Sequence, residues 1–184
     1  MTGTILLLSV AASAGPDTEG IAAAQSAADA IREAAGADAA FLTAEMLRTK
    51  FDPDNLATLM KFPTEEIAVV NLTGAQIRQA LERSVSLYPT PSDSFLQVSN
   101  LEITFRPKAE PDARIASVTL SGNRMEDGRT YTVAMPVTLA RGSQGYFKVW
   151  DKERIKTVLS GVTLEKVLAD RPAKNMASRW RTAS

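Results

Sequence analysis

The sequence predicts a single α+β domain in which a mixed β-sheet is flanked by helices. A chain of 184 residues with 45% apolar content can bury one sizeable core, and this length is typical of one domain. Helical and strand patterns alternate in the first half of the chain, whereas the second half is rich in strand patterns. This order is typical of an α/β sandwich around one sheet.

The first half of the chain alternates helices with short strands. An Ala-rich segment over about residues 19–35 predicts a helix, because alanine has the highest helix propensity. Thr18 or Asp17 can cap its start, and Gly36 ends it. Three further elements are predicted here: a strand over residues 39–42, a helix from Asp52-Pro53 to about Met60, and a strand over residues 66–72.

A capping box opens the next helix. In Thr73-Gly74-Ala75-Gln76, the Thr73 hydroxyl and the Gln76 amide can satisfy each other's backbone groups. Ile77, Leu81 and Val85 recur every four residues and therefore face the sheet. The later elements are strands over residues 96–105, 115–120 and 130–135, a turn at Ser121-Gly122-Asn123, and a short helix that begins at Thr163.

The composition excludes several classes of function. The 21 basic residues equal the 21 acidic residues, so no overall field favours nucleic acid or an anionic membrane. The absence of Cys excludes disulfides, and the absence of His removes the usual ligand of catalytic zinc and the usual base at neutral pH. We expect no metal site, no nucleic-acid partner and no membrane span.

Three segments between Phe95 and Tyr146 carry a family pattern. They read FLQVSNLEITFRP, VTLSGNRMEDGRTYTVAMP and LARGSQGY, and NLTGAQIRQALERSV precedes them. Together they closely resemble the C-terminal domain of bacterial 5'-nucleotidases and UDP-sugar hydrolases, over about residues 18–168. The resemblance implies the substrate-recognition half of a nucleotide-processing metallophosphoesterase, whose divalent metals belong to a separate catalytic domain rather than to this one.

The family's ligand positions correspond to residues of this chain one motif at a time. In the family, two aromatic rings hold the nucleoside, while Arg and a glycine-rich backbone hold the phosphates. The first motif, Asn-Gly-Gly-Gly-Ile-Arg, corresponds to Thr43-Ala44-Glu45-Met46-Leu47-Arg48. Arg48 is retained, Thr43 replaces the amide, and Glu45 would oppose a phosphate. The alternative for Arg48 is a surface side chain paired with Glu45 or Asp52.

The other two motifs are altered at their rings. Leu-Pro-Phe corresponds to Lys61-Phe62-Pro63, so Pro63 stands at the position of the ring, and Phe62 either reaches the ligand or packs in the core or a lid. In the third motif, which spans residues 137–146, Thr138 replaces the stacking Phe and Gln144 replaces an Asp. Arg141 is a new cation there, and Gly142, Gly145 and Tyr146 can keep the loop's shape. The predicted substrate-binding residues are Thr43, Arg48, Phe62, Thr138, Arg141, Gln144 and Tyr146, and no catalytic residue is predicted.

Three hypotheses follow for the function. The chain is the recognition half of a nucleotide hydrolase that works with a metallophosphatase domain or subunit, or a stand-alone module that binds a phosphate or sugar-phosphate, or a structural or interaction domain. In none of the three do we expect hydrolysis by the chain alone, because no Ser/His or Cys/His arrangement is present. The family resemblance implies a periplasmic or secreted location.

The predicted domain boundaries divide the chain into three parts. Residues 18–170 form the family domain, and residues 171–184 form a polar tail that we expect to be frayed. Residues 1–17 are either an N-terminal strand or a residual signal or linker segment. The apolar run over residues 5–14 is too short to span a bilayer.

Overall fold

The described residues of the chain build two β-sheets. The computed structural model describes residues 17–183. The first sheet has the strand order β3-β1-β7-β2-β8 and the second has the order β6-β5-β4-β9. The strands are β1 (Ala39–Thr43), β2 (Glu66–Thr73), β3 (Leu96–Ser99), β4 (Leu101–Phe105), β5 (Ile115–Leu120), β6 (Asn123–Arg124), β7 (Thr130–Pro136), β8 (Ile155–Thr163) and β9 (Trp180–Thr182). The predicted α+β class is confirmed, but the expectation of a single sheet is wrong.

Four helices accompany the sheets in the described part of the chain, together with short 3-10 turns. They are α1 (Ala22–Ala35), α2 (Gly74–Ser84), α3 (Val137–Ala140) and α4 (Leu164–Leu168). The capping box that opens α2 is present as predicted. Gln76 N–H donates to the Thr73 hydroxyl at 3.2 Å, and Thr73 N–H donates to Gln76 Oε1 at 3.0 Å.

The first sheet has a hydrophobic core on each face. Side chains alternate between faces along a strand, so Phe41 of β1 points into one core while its neighbours Ala40 and Leu42 join the other. The core around Phe41 includes α2 and the inner face of the second sheet. The opposite core is closed by α1 and α4. The fold therefore has three layers: the helices α1 and α4, the first sheet, and α2 together with the second sheet.

Two predicted helices differ from the observed ones. The first begins at Ala22 and not near Glu19, and its N-cap, Ile21, makes no side-chain capping bond, so neither Thr18 nor Asp17 caps it. The helix expected from Asp52-Pro53 is only a 3-10 turn over Leu56–Leu59. Asn55 caps that turn by accepting from Ala57 N–H. Local propensity was not enough to sustain a full α-helix there.

The strand predicted over residues 96–105 is two strands that enter different sheets. Asn100 breaks it with φ of 60°, a left-handed conformation that Asn tolerates better than most residues. Its amide nitrogen donates to Asp38 O and to Ser121 Oγ, both at 2.8 Å. As a result, β3 pairs with β1 and β4 pairs with β5.

The C-terminal segment is docked rather than frayed, so that expectation is wrong. β9 adds in parallel to β4, with Ile103 opposite Trp180. The Trp180 side chain is 6% exposed, and its indole N–H donates to Leu96 O at 2.9 Å. Arg179 forms an ion pair with Asp29 of α1 at 2.8 Å. This segment therefore ties α1 to both sheets.

Two further observations concern the ends of the chain and membranes. The prediction of a strand or signal remnant over residues 1–17 lies, except for Asp17, outside the described residues. Across residues 17–183, no helix has both the length and the apolar character needed to cross a bilayer.

Candidate ligand-binding groove

Three segments meet at one edge of the first sheet: residues 43–48, 61–63 and 137–146, which correspond to the family's ligand motifs. β1 and β7 are parallel, so their carboxyl ends, Thr43 and Pro136, lie at the same edge. β2 is antiparallel to β7, which brings its first residues to that edge, with Ile67 opposite Pro136. The topology therefore brings together segments that are more than ninety residues apart in the sequence.

A groove of about 330 Å³ opens at this edge. Its lining residues come from the end of β1, from the loop before β2 and from the segment after β7. They are Thr43, Glu45, Met46, Phe62, Thr64, Glu65, Thr138 and Ser143. Three of the seven predicted binding residues, Thr43, Phe62 and Thr138, thus line one groove, and their role in binding stays a prediction.

Glu65 is held in the groove through one of its two carboxylate oxygens. Its Oε1 accepts the Thr138 backbone N–H at 3.1 Å and also the Thr138 hydroxyl. Its Oε2 is buried and has no hydrogen-bond partner among the described residues. Burial raises the pKa of Glu65, as does the charge of Glu45, while the Thr138 N–H and Arg141 act in the opposite direction.

Glu45 supplies a second carboxylate to the groove. Its Oε2 accepts a hydrogen bond from the Gln144 amide nitrogen. The Glu45 backbone N–H donates to Asp93 O at 3.1 Å, which anchors the 3-10 turn that carries it. Gln144, predicted to contact a ligand, is therefore also a residue that holds Glu45.

A glycine-bounded loop carries Gln144 to this position. Gly142 has φ of 90°, and a Cβ there would lie 2.7 Å from the Phe147 backbone. Gly145 has φ of 77°, and Gln144 itself has φ of 53°. The Arg83 side chain of α2 fastens the loop, since its Nε donates to Gln144 O at 2.9 Å. The glycines are needed for this path of the backbone.

Phe62 presents an aromatic face to the groove. Its side chain is 51% exposed. Phe62 lies in the turn that precedes β2, where Glu65 N–H donates to Phe62 O at 3.2 Å. The ring is therefore not part of either hydrophobic core.

Tyr146 does not line the groove, which corrects its predicted place in the binding set. It is fully buried, its ring stacks on Trp150 with centroids 4.9 Å apart, and its hydroxyl donates to Ser94 O at 2.6 Å. Burial raises the pKa of the Tyr146 hydroxyl well above its usual range. Tyr146 is a core residue that supports the loop.

The two predicted cations lie apart from each other. Arg48 is exposed, and its Nε donates to Met60 O at 3.1 Å. It lines a separate, open depression with Leu47, Thr49, Lys50 and Lys61. In the described structure Arg48 makes no ion pair with Glu45 or Asp52. Arg141 is exposed and close enough to Glu65 to lower its pKa.

The predicted binding set lacks five residues that line the groove, Glu45, Met46, Thr64, Glu65 and Ser143. Glu65 follows the Lys61-Phe62-Pro63 motif by two residues and directly precedes β2. A carboxylate so close to the start of a strand that enters the site was the signal that could have indicated it.

A metal centre is not formed by the described part of the chain. No group of three or more Asp or Glu side chains within residues 17–183 could hold a metal ion. The expectation that the family's metals are held by another domain stays a prediction.

Comparison with known proteins identifies the same family that the motifs resemble. The family model described as "5'-nucleotidase, C-terminal domain" matches residues 8–152. The trifunctional nucleotide phosphoesterase protein YfkN of Bacillus subtilis is 30% identical over 125 residues, which are 62% of this chain and 8% of that protein. The snake venom 5'-nucleotidase of Naja atra is 28% identical over 87 residues, 43% of this chain and 16% of that protein.

A solved structure matches at the level of the fold. The 5'-nucleotidase precursor from Thermus thermophilus superposes with a TM-score of 0.78 at 19% identity, over 92% of this chain and 36% of that one. The chain therefore spans only a minor part of the length of each of these proteins.

Proposed function

Because the chain belongs to the 5'-nucleotidase C-terminal domain family, we propose that it is the substrate-recognition part of a nucleotide-processing phosphoesterase. The ligand is recognised in the groove at the edge of the first sheet. The observation that carries this proposal is that residues of all three motif segments line that one groove. Its concave shape, with an exposed ring and several polar groups, is typical of small-molecule sites.

The catalytic step belongs to a partner in this proposal. The matched proteins extend well beyond the part that resembles this chain, and one of them is by name a nucleotide phosphoesterase. We propose that a metallophosphatase domain or subunit closes over the groove and acts on the phosphate. Residues of this chain bind and orient the ligand, and the chain takes part in nucleotide breakdown.

The location proposed for this activity is periplasmic or secreted. One matched protein is a snake venom 5'-nucleotidase, and another is a 5'-nucleotidase precursor. Both descriptions favour an extracytoplasmic setting for the proposal.

The groove is expected to bind adenine nucleotides poorly. Phe62 offers one aromatic face, but Thr138 stands where the second ring would be. Stacking contributes about 1–3 kcal/mol per base, so loss of one partner weakens binding by roughly one to two powers of ten. Glu45 and Glu65 also repel a phosphate. We expect AMP to bind more weakly than about millimolar.

The proposal is tested by titrating the protein with nucleosides, nucleotides and sugar-phosphates and measuring binding by NMR or calorimetry. We expect at least one member of the panel to bind saturably, and Phe62→Ala to abolish that binding. Phe147→Ala is the matched control, because Phe147 is 64% exposed but does not line the groove. The proposal fails if nothing in the panel binds, or if binding survives Phe62→Ala.

A second candidate is a stand-alone module that binds a phosphate or sugar-phosphate at the depression beside Arg48. Three cations, Arg48, Lys50 and Lys61, line it, and no carboxylate does. An Arg fork can hold a phosphate even without a glycine-rich loop. Binding of a sugar-phosphate that is lost in Arg48→Ala but kept in Phe62→Ala would favour this candidate. If neither site binds, the structural or interaction role leads.

A further inference from the structure

The groove carries an unusual combination of an exposed ring and two carboxylates. Resting on the proposed function, we infer that it selects its ligand by charge. It takes a flat ring with a positive charge or with N–H donors on its edge, and it excludes anionic groups. Glu45 and Glu65 are the specificity-determining residues, and the phosphate of a substrate lies outside the groove, towards the catalytic partner.

The unmatched negative charge of the groove is the first argument. The two carboxylates are close enough to interact, since the charge of Glu45 raises the pKa of Glu65. The nearby cation that acts on Glu65 is Arg141, which is exposed, and its effect is the smallest of those on Glu65. A ligand cation would be attracted to both carboxylates, whereas a ligand anion would be repelled by both.

Open hydrogen-bonding capacity is the second argument. Glu65 uses Oε1 for both bonds to Thr138, and its Oε2 has no partner in the described structure. Gln144 donates to Oε2 of Glu45, and no described residue donates to Oε1. Ionised carboxylates accept hydrogen bonds and donate none. The groove therefore matches ligand edges that carry N–H groups and does not match edges that carry carbonyl oxygens.

The aromatic wall is the third argument. The exposed Phe62 ring lines the same groove as both carboxylates. A flat ring can stack on it, and a cation over its face is attracted by the ring quadrupole. Ring recognition and charge recognition are thus served by different residues of one groove.

A series of probes with equal rings and different charges tests the inference. We use benzylammonium, benzyl alcohol and benzoate, and compare their dissociation constants by NMR titration at neutral pH. We expect benzylammonium to bind at least tenfold more tightly than benzyl alcohol, and benzoate not to bind. Equal binding of the three, or preference for benzoate, would overturn the inference.

A matched pair of nucleosides extends the test to the proposed ligand class. Cytidine carries an amino donor at C4 and an acceptor at N3, where uridine carries a carbonyl acceptor and a single N–H donor, and the two are nearly the same in shape. We expect cytidine to bind at least tenfold more tightly. A preference for uridine, or no binding of either nucleoside, would contradict the inference.

Charge-neutral variants identify the residues. Glu45→Gln and Glu65→Gln keep the size of the side chain, and each should reduce the preference for benzylammonium by at least fivefold. Glu102→Gln is the control, because Glu102 is exposed on β4 in the other sheet. This substitution changes the net charge by the same amount. If Glu102→Gln has an equal effect, the preference arises from overall charge and the inference fails.

The outcomes separate this inference from the proposed function. A sugar-phosphate or uridine that binds in the groove and is lost in Phe62→Ala would sustain the proposed function while overturning the selection by charge. If Phe62→Ala leaves every ligand bound, the proposed function itself is lost.

Discussion

Substitution of Tyr146 by Phe distinguishes a residue that supports the groove from one that lines it. The family pattern places this ring in the ligand loop, whereas in the structure it is fully buried beneath that loop. The variant removes one hydroxyl, which donates to Ser94 O at 2.6 Å. The stacking of the ring on Trp150 is unchanged by the substitution.

The expected cost follows from the burial of both partners. Ser94 is 8% exposed, so its carbonyl loses a partner that water cannot easily replace. Leaving a buried acceptor unpaired costs about 1–3 kcal/mol of unfolding free energy. For a chain of this size, each kcal/mol lowers Tm by about 2–4 °C. The affinity for benzylammonium should stay within twofold, because Tyr146 does not line the groove.

The assay combines urea denaturation with titration of benzylammonium on the same protein. Tyr131→Phe is the control, since Tyr131 is also buried and its hydroxyl accepts from Glu126 N–H at 3.0 Å. Glu126 is exposed, so water can replace that bond and the cost should be smaller. Unchanged stability together with lost binding in Tyr146→Phe would refute the assignment of Tyr146 to the core.

Three more predictions concern the tail, the groove and the open depression. Trp180→Ala should lower the unfolding free energy by about 3–5 kcal/mol, because Trp180 is 6% exposed; a loss below about 1 kcal/mol would mean that the tail is not docked. Burial raises the folded-state pKa of Glu65 above 4.5, so its contribution to stability is complete below that pH and is lost as the pH rises through the raised pKa. Urea denaturation at a series of pH values should therefore show a loss of unfolding free energy with rising pH that is absent from Glu65→Gln. Parallel pH profiles of the two proteins would contradict this prediction. Arg48→Ala should change stability by less than about 0.5 kcal/mol, since Arg48 is exposed; a larger loss in urea denaturation would mean that it has a structural role.

Elements with a strong local signal could be predicted from the sequence. The capping box at Thr73 fixes the start of α2 because its reciprocal bonds need only residues three apart. Gly36 ends α1 in a left-handed conformation, as a C-terminal glycine should. Such signals act within one turn of the chain, so they hold regardless of the tertiary context.

Elements whose stability comes from distant partners could not be predicted. β8 is exposed or half-buried along its whole length, and it pairs with the mostly buried β2. β9 has three residues and depends on the edge of β4 and on the site that receives Trp180. At Asn100 the apolar alternation changes phase, from even-numbered positions before it to odd-numbered positions after it. A single left-handed residue thus sends the chain from one sheet to the other.

For the groove, motif correspondence identified the segments but not the direction of the side chains. Thr43, Phe62 and Thr138 line the groove, and their role in binding stays a prediction. Tyr146 and Arg48 do not line it, since adjacent positions in a loop can point to the core, to the groove or to solvent. Glu65 is defined by its bonds to Thr138, 73 residues away, which no local pattern encodes.

The shape of the groove and its chemistry are carried by different residues. Gly142 lets the loop pass close to Phe147, Tyr146 supports the loop from below, and Arg83 holds it to α2. Neither Gly142, Tyr146 nor Arg83 lines the groove. The lining side chain Glu45 corresponds to a glycine of the family motif, and it accepts a hydrogen bond from the Gln144 amide nitrogen. Since the supporting residues are independent of the lining ones, the lining can change its charge while the fold is kept. That independence lets a family domain keep the form of its ligand loop while the charge of its groove changes.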